Sequence, residues 1–155
     1  MTVEPYGTTI FCDDIRHEIN GKLTLVGCYS SEMNFNGPPP GLLPSFAALV
    51  NIRIPTALPF KSLKLRVLKE EGDEVSEILA AEVEAEEEKI EDIVGGSQEG
   101  EPEERLISMT FPCHWSPLPM ANTGFIKVRA YLDGGKEIRL GALKINFASE
   151  PDAKD

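Results

Sequence analysis

An Asn-Gly dipeptide between two alternating apolar runs constrains the fold of this chain more than any other feature. Asn20-Gly21 lies in the middle of residues 11–29, which read FCDDIRHEINGKLTLVGCY. This pattern is the strongest short-range signal of a β-hairpin. The sequence therefore predicts two antiparallel strands joined by a tight turn near the start of the chain.

The side-chain pattern selects the register of this hairpin, because a slip of one residue turns every side chain to the other face. A two-residue loop would set Glu18 opposite Leu23 and mix charges with leucines, so we reject it. A three-residue loop over residues 19–21 pairs Glu18 with Lys22. It corresponds to a type I turn with a G1 bulge, in which Gly21 takes the left-handed conformation.

This register divides the hairpin into two faces. The polar face carries Asp14, Arg16, Glu18, Lys22 and Thr24. The apolar face carries Phe11, Ile15, Leu23, Leu25 and Tyr29, and Asp13 and His17 point the same way. Cys12 is expected opposite Cys28, on the side away from Phe11.

The stretch resembles the opening of a family of uncharacterised bacterial and phage-encoded proteins, whose pattern reads (F/L)-C-D-D-(V/I)-R-x-E-x-x-G-K-x-x-L-(V/I)-G-x-Y. The matching residues are Phe11, Cys12, Asp13, Asp14, Ile15, Arg16, Glu18, Gly21, Lys22, Leu25, Val26, Gly27 and Tyr29. Residues 124–147 resemble the closing hairpin of the same family. The resemblance implies a compact β domain and assigns no activity.

Further alternating runs follow the hairpin and predict strands with one buried face. Their inward positions are every second residue of Phe46 to Ile54, Leu63 to Val67 and Ile107 to Phe111, together with Val75, Leu79, Ala81 and Val83. Residues 30–44 are rich in Pro and Gly and are interpreted as a loop. Residues 75–94 fit either a strand to about residue 84 followed by a short helix or disordered arm, or one helix, and we favour the strand.

The last hairpin is predicted by the same argument as the first. A three-residue loop over residues 133–135 aligns the apolar positions of 126–132 with Ile138 and Leu140. The alternation then changes phase, which predicts a β-bulge at Gly141-Ala142. Seven or eight strands without convincing helices indicate an all-β fold, an antiparallel β-sandwich of immunoglobulin-like or similar type.

The composition is that of one ordinary globular domain, with 155 residues, 41% hydrophobic and 26% charged. We expect the domain over residues 1–149, with an acidic arm inserted at about 85–104 and a polar tail at 150–155. No signal peptide or membrane span is expected, because the chain has no basic leader and no apolar run of about 18 residues. Three cysteines without CxxC spacing predict free thiols and a cytoplasmic location.

The charge is concentrated in one segment. Residues 84–104 hold ten acids and one lysine and so carry −9 of the net −11. Nucleic acid is therefore not an expected partner, whereas a protein partner is. Glu86, Glu87 and Glu88 are candidate binding residues within the arm. The arm could also lie on outward basic stripes formed by Lys64, Arg66 and Lys69, or by Lys127 and Arg129.

Two groups of residues are candidates for a metal site and for a catalytic pair. Asp13 and His17 are metal-ligand types, but a catalytic metal site usually needs about three protein ligands, and the register sends the neighbouring acids to the other face. Cys113-His114 would be a nucleophile and its base, but adjacent strand residues point to opposite faces. We therefore expect no metal, cofactor or catalytic residue.

The preferred hypothesis is a non-enzymatic cytoplasmic binding or assembly module of bacterial or phage origin. Its binding residues would be those of the outer hairpin face, Asp14, Arg16, Glu18 and Lys22, together with the three glutamates of the arm. An alternative is a phage-type acidic inhibitor that binds a basic, nucleic-acid-binding protein through residues 84–104. A third hypothesis is an enzyme whose site has no recognisable motif.

Overall fold

The computed structural model describes residues 4–84 and 106–148, which form eleven β-strands and no α-helix. The strands are β1 (Tyr6–His17), β2 (Leu23–Cys28), β3 (Glu32–Phe35), β4 (Gly41–Leu43), β5 (Phe46–Pro55), β6 (Ser62–Glu71), β7 (Glu74–Glu84), β8 (Leu106–Trp115), β9 (Leu118–Met120), β10 (Gly124–Leu132) and β11 (Glu137–Phe147). The all-β, sandwich-like fold predicted from the sequence is confirmed. No helix among these residues is long and apolar enough to cross a membrane.

The strands form two main sheets and one small one. Sheet A has the order β2-β1-β5-β8, sheet B has the order β3-β11-β10-β6-β7, and β4 pairs with β9. Adjacent strands are antiparallel except β3 and β11, which are parallel. Both sheets contribute side chains to one main core, because the alternating apolar positions of each strand face the opposite sheet.

The predicted number of seven or eight strands was too low. The three additional strands, β3, β4 and β9, have only three or four residues each. They are too short to show a periodic pattern, and β3 and β4 lie in the Pro/Gly-rich stretch that we interpreted as a loop. That stretch does not enter the middle of a main sheet, since β3 is an edge strand of sheet B.

Burial confirms the inward positions predicted in β5, β6 and β10, whereas Val75 of β7, also predicted to point inward, is 60% exposed. The register of β6 and β7 shifts between Val67 and Leu68, and this bulge turns Val75 to the outer side. In β5 the residues from Phe46 to Ile54 at every second position are completely buried, and so are Val67 of β6 and Ile126, Val128 and Ala130 of β10. Residues 75–84 form β7 rather than the start of a helix. The arm at 85–104 and the tail at 150–155 lie outside the described residues.

The register of the first hairpin is confirmed. Arg16 pairs with Thr24, and Cys12 pairs with Cys28. The backbone N–H of Glu18 donates to the carbonyl of Lys22 at 2.7 Å, which closes the three-residue loop. Gly21 has a φ of +74°, the left-handed conformation that the turn requires.

The predicted apolar face of this hairpin is split between two clusters, which corrects the face assignment. Phe11 is buried in the main core and Tyr29 packs against it. Ile15 instead belongs to a second cluster with Cys12 and Ala47. Leu23, Leu25 and Leu49 pack against that second cluster.

The split arises where β1 leaves β5. The two strands pair only as far as Cys12, which lies opposite Ala47. Cys12 faces away from Phe11, so the second cluster lies on the outer face of sheet A. Beyond Cys12 the hairpin is no longer held in the plane of β5, and Gly27 with a φ of +67° interrupts the regular geometry of β2. The end of the hairpin therefore folds onto the outer face of sheet A.

The closing hairpin also follows its prediction. Ala130 pairs with Ile138, which leaves residues 133–135 as the loop. The register shifts between Val128 and Arg129, because Val128 pairs with Gly141 while Arg129 pairs with Arg139. The bulge thus lies one residue earlier than predicted.

Candidate functional site

Asp13 of β1 and Tyr29, which follows β2, link the two strands of the first hairpin through their side chains. The hydroxyl of Tyr29 donates a hydrogen bond to the Asp13 carboxylate. Burial, together with this bond and the charge of Asp13, raises the pKa of Tyr29. The rings of Phe11 and Tyr29 lie 6.1 and 6.2 Å from that of Phe46. Asp13 is exposed rather than directed into the core, although the register places it on the same face of the hairpin as Phe11.

Gly27 lies beside this contact between Asp13 and Tyr29. A Cβ atom at this position would lie 2.2 Å from Oδ2 of Asp13. The positive φ of Gly27 is also unfavourable for a residue with a side chain. Glycine therefore provides the room in which the Asp13 carboxylate meets Tyr29.

The predicted polar face of the hairpin is accessible to a partner. Arg16, Glu18 and Lys22 are exposed, and Asp14 is partly buried. Two acids and two bases leave this face without net charge. The other predicted binding residues, Glu86, Glu87 and Glu88, lie outside the described residues.

His17 meets a partner that the sequence did not indicate. Its Nε2 atom lies 3.4 Å from Nε2 of His114, and both side chains are exposed. The inward position predicted for His17 was wrong, because the apolar face on which it lies folds onto the outside of sheet A. Asp13 binds Tyr29 instead of joining His17. Within the described residues, no group of three or more His, Cys, Asp or Glu side chains could hold a metal ion.

Cys113 and His114 lie on opposite faces of β8, as predicted. Cys113 is buried in the main core, and its Sγ lies 3.7 Å from the carbonyl oxygen of Phe111. Burial raises the pKa of the Cys113 thiol to about 11. His114 is on the exposed face, where it contacts His17, so the two neighbours do not form a dyad.

The basic stripes of sheet B are matched by acids of the same sheet. Arg129 is buried and lies 3.3 Å from Glu137. Arg66 is paired with Glu77, and Lys127 with Glu70. Lys69 was wrongly placed on the outward stripe, because it lies on the same side of β6 as Val67, opposite the buried Ile126, and donates to the carbonyl of Pro119.

A cleft of about 620 Å³ opens between the start of β1 and the β10–β11 hairpin. Its apolar lining includes Tyr6, Leu58, Leu132 and Ile138. Tyr6 and Leu58 are 45% and 42% exposed, which is high for large apolar side chains. The sequence did not reveal this cleft, because its lining comes from three separate parts of the chain.

The charged side chains of the cleft are paired with each other. Glu137 accepts a hydrogen bond from the hydroxyl of Tyr131 at 3.0 Å and lies 3.3 and 3.7 Å from Nε of Arg129 and Arg139. Lys136 and Glu4 approach to 3.9 Å and are both largely exposed. The cleft thus combines an apolar lining with a mixed-charge rim.

No family model matches the chain, and no curated protein matches it. The resemblance of the first hairpin to the bacterial and phage-encoded family therefore stays a prediction.

Proposed function

We propose that the protein is a non-enzymatic cytoplasmic binding or assembly module, and that its cleft receives an apolar side chain of a partner protein. The observation that carries this proposal is the exposure of Tyr6 and Leu58 in an open cleft of about 620 Å³. This volume falls within the range of about 300–1,000 Å³ typical of ligand pockets. The three free thiols are in keeping with a reducing compartment.

The driving force would be apolar burial. Covering the exposed parts of Tyr6 and Leu58 removes apolar area from water at about 25 cal/mol per Å². An inserted Leu-sized side chain adds about 1.5–3 kcal/mol of its own. Affinity at this level suits a transient contact, which the rim side chains Glu4 and Lys136 would orient.

The ionisable groups of the cleft favour binding over catalysis. The carboxylate of Glu137 accepts from Tyr131 and lies close to Arg129 and Arg139, so its oxygens are already paired with neighbouring side chains. A general base needs to be within hydrogen-bond reach of the proton that it removes. Glu137 is instead committed to the groups that surround it.

A displayed library of random peptides, selected on the whole chain, tests the proposal. Enriched peptides should share an apolar residue, and their affinity should fall at least about tenfold on Leu58→Asp, since a charge would have to be desolvated in the cleft. Val75→Asp is the matched control, because Val75 is a 60% exposed apolar residue of β7, outside the cleft lining. Selected peptides whose affinity is unchanged by Leu58→Asp would contradict the proposal.

The alternative, an acidic inhibitor acting through residues 84–104, makes a different prediction for a basic protein partner. Replacing Glu86, Glu87 and Glu88 with Gln should slow association and reduce its salt dependence, because exposed charges steer encounters and are screened over about 8 Å at 0.15 M salt. Leu58→Asp should leave that interaction unchanged. The two variants therefore separate the two functions.

A further inference from the structure

The two histidines of the chain come together in space although 97 positions separate them. His17 lies near the end of β1, opposite Leu23. His114 lies on the edge strand β8, opposite Ala47 of β5. The contact forms because the end of the first hairpin folds over the outer face of sheet A.

The position of each imidazole is supported by packing. Ala47 is completely buried and belongs to the same outer cluster as Ile15, which lies two residues before His17. Ala47 is also the strand partner of His114. One buried cluster therefore holds both backbones, and only the two side chains need to be ordered when a ligand binds.

The distance between the two Nε2 atoms matches that between two ligands of one metal ion. The ring centroids are 5.6 Å apart and the rings are tilted by 45°, whereas the two Nε2 atoms approach to 3.4 Å. The centroid separation is close to the Nε2–Nε2 distance plus the two ring radii, so the Nε2 atoms face each other almost head-on and the rings do not stack. A tetrahedral zinc with Zn–N bonds of about 2.0–2.1 Å requires its nitrogens about 3.3–3.4 Å apart.

The two imidazoles form a long hydrogen bond with each other. At 3.4 Å the nitrogens are farther apart than the 2.7–3.2 Å typical of an N–H donor and its acceptor. This bond uses the lone pair of only one Nε2 atom. A metal ion would use both lone pairs.

We propose that His17 and His114 bind one transition-metal ion of the class that prefers imidazole nitrogen, such as Zn²⁺, Ni²⁺ or Cu²⁺. Both side chains are exposed, so the remaining coordination positions are open to water or to a donor atom from another molecule. This site lies at the hairpin end of sheet A and uses none of the residues that line the cleft.

Zinc titration followed by NMR of the imidazole signals tests the site directly. The chain without a polyhistidine tag contains two histidines, so each signal can be assigned with one variant. A Cys28→Ser background removes the exposed thiol, which could bind zinc by itself. We expect both imidazoles to respond together and to saturate at one ion per chain.

The variants His17→Gln and His114→Gln should each weaken zinc binding by about tenfold or more, because each removes one of two ligands. Both positions are exposed, so both variants should fold as the parent does. Mg²⁺ at the same concentration should leave the imidazole signals unchanged, since it prefers oxygen ligands. A response from one histidine alone, parental affinity in either variant, or saturation at one ion per two chains would overturn the proposal.

Discussion

Replacing Gly27 with Ala should destabilise the protein more than the same change at Gly21. Both glycines have positive φ values, +67° and +74°, so alanine is strained by about 1–2 kcal/mol at either position. At Gly21 no atom lies within 4 Å of the added Cβ. Gly21→Ala is therefore the control that measures strain alone.

At Gly27 the added Cβ would lie 2.2 Å from Oδ2 and 2.9 Å from Cγ of Asp13. The carboxylate must move away, and it then loses the hydrogen bond from Tyr29, which contributes about 1–2 kcal/mol. We expect Gly27→Ala to lower the free energy of unfolding by about 2–4 kcal/mol. Gly21→Ala should lower it by about 1–2 kcal/mol.

Urea unfolding followed by the fluorescence of Trp115 measures both values, since this single tryptophan packs 5.7 Å from the ring of Phe46. A double-mutant cycle with Tyr29→Phe isolates the hydrogen bond. In the Tyr29→Phe background, Gly27→Ala should cost only about as much as Gly21→Ala. Equal costs for the two glycines in the parent protein, or additive effects of Gly27→Ala and Tyr29→Phe, would refute the reasoning.

Three further predictions concern the thiols, the closing loop and the tryptophan. Burial raises the pKa of both Cys12 and Cys113 to about 11, while Cys28 is exposed. Ellman's reagent at neutral pH should therefore label one thiol quickly in the native protein and three in urea. Rapid labelling of all three thiols without denaturant would contradict this prediction. Asp133 accepts hydrogen bonds from two backbone N–H groups at 2.9 Å, which lower its pKa in the folded state. The contribution of the Asp133 carboxylate to the free energy of unfolding should be complete above about pH 4 and lost as the pH falls below that value. Asp133→Asn should therefore reduce the fall of the urea midpoint at acid pH. An unchanged dependence of the midpoint on pH would contradict this prediction. Trp115→Phe removes the indole N–H that donates to a carbonyl of β7 at 3.1 Å, and should cost about 1–3 kcal/mol by urea unfolding followed by circular dichroism; a loss below about 0.5 kcal/mol would show that this link between the sheets contributes little.

Local strand pairing could be predicted from the sequence because its determinants lie close together in the chain. The Asn20-Gly21 turn and the alternation around it specify the register that pairs Cys12 with Cys28. The same logic specifies the loop at residues 133–135 and locates the bulge in β11 to within one residue. Regular alternation in β5, β6 and β10 likewise marked the positions that fill the main core.

The contacts that form the candidate sites could not be predicted in this way. Register alone did not show that β1 leaves β5 after Cys12, so the sequence placed Ile15 and His17 on the inner face. The meeting of His17 with His114 depends on that fold-over and on the pairing of β5 with β8. The sequence placed Asp13 and Tyr29 on the same face of the hairpin, but only the folded hairpin shows that their side chains form a hydrogen bond.

The sequence by itself determined the strands and the two hairpins, because a turn and an alternating pattern are read over fewer than about twenty residues. The tertiary structure decided the cleft, the histidine pair and the short strands β3, β4 and β9. The cleft joins the start of β1 to Leu58 and to the β10–β11 hairpin, three parts of the chain with no common pattern. Such contacts depend on how two twisted sheets pack and on where a strand leaves its neighbour. The periodicity of side chains along one strand specifies neither.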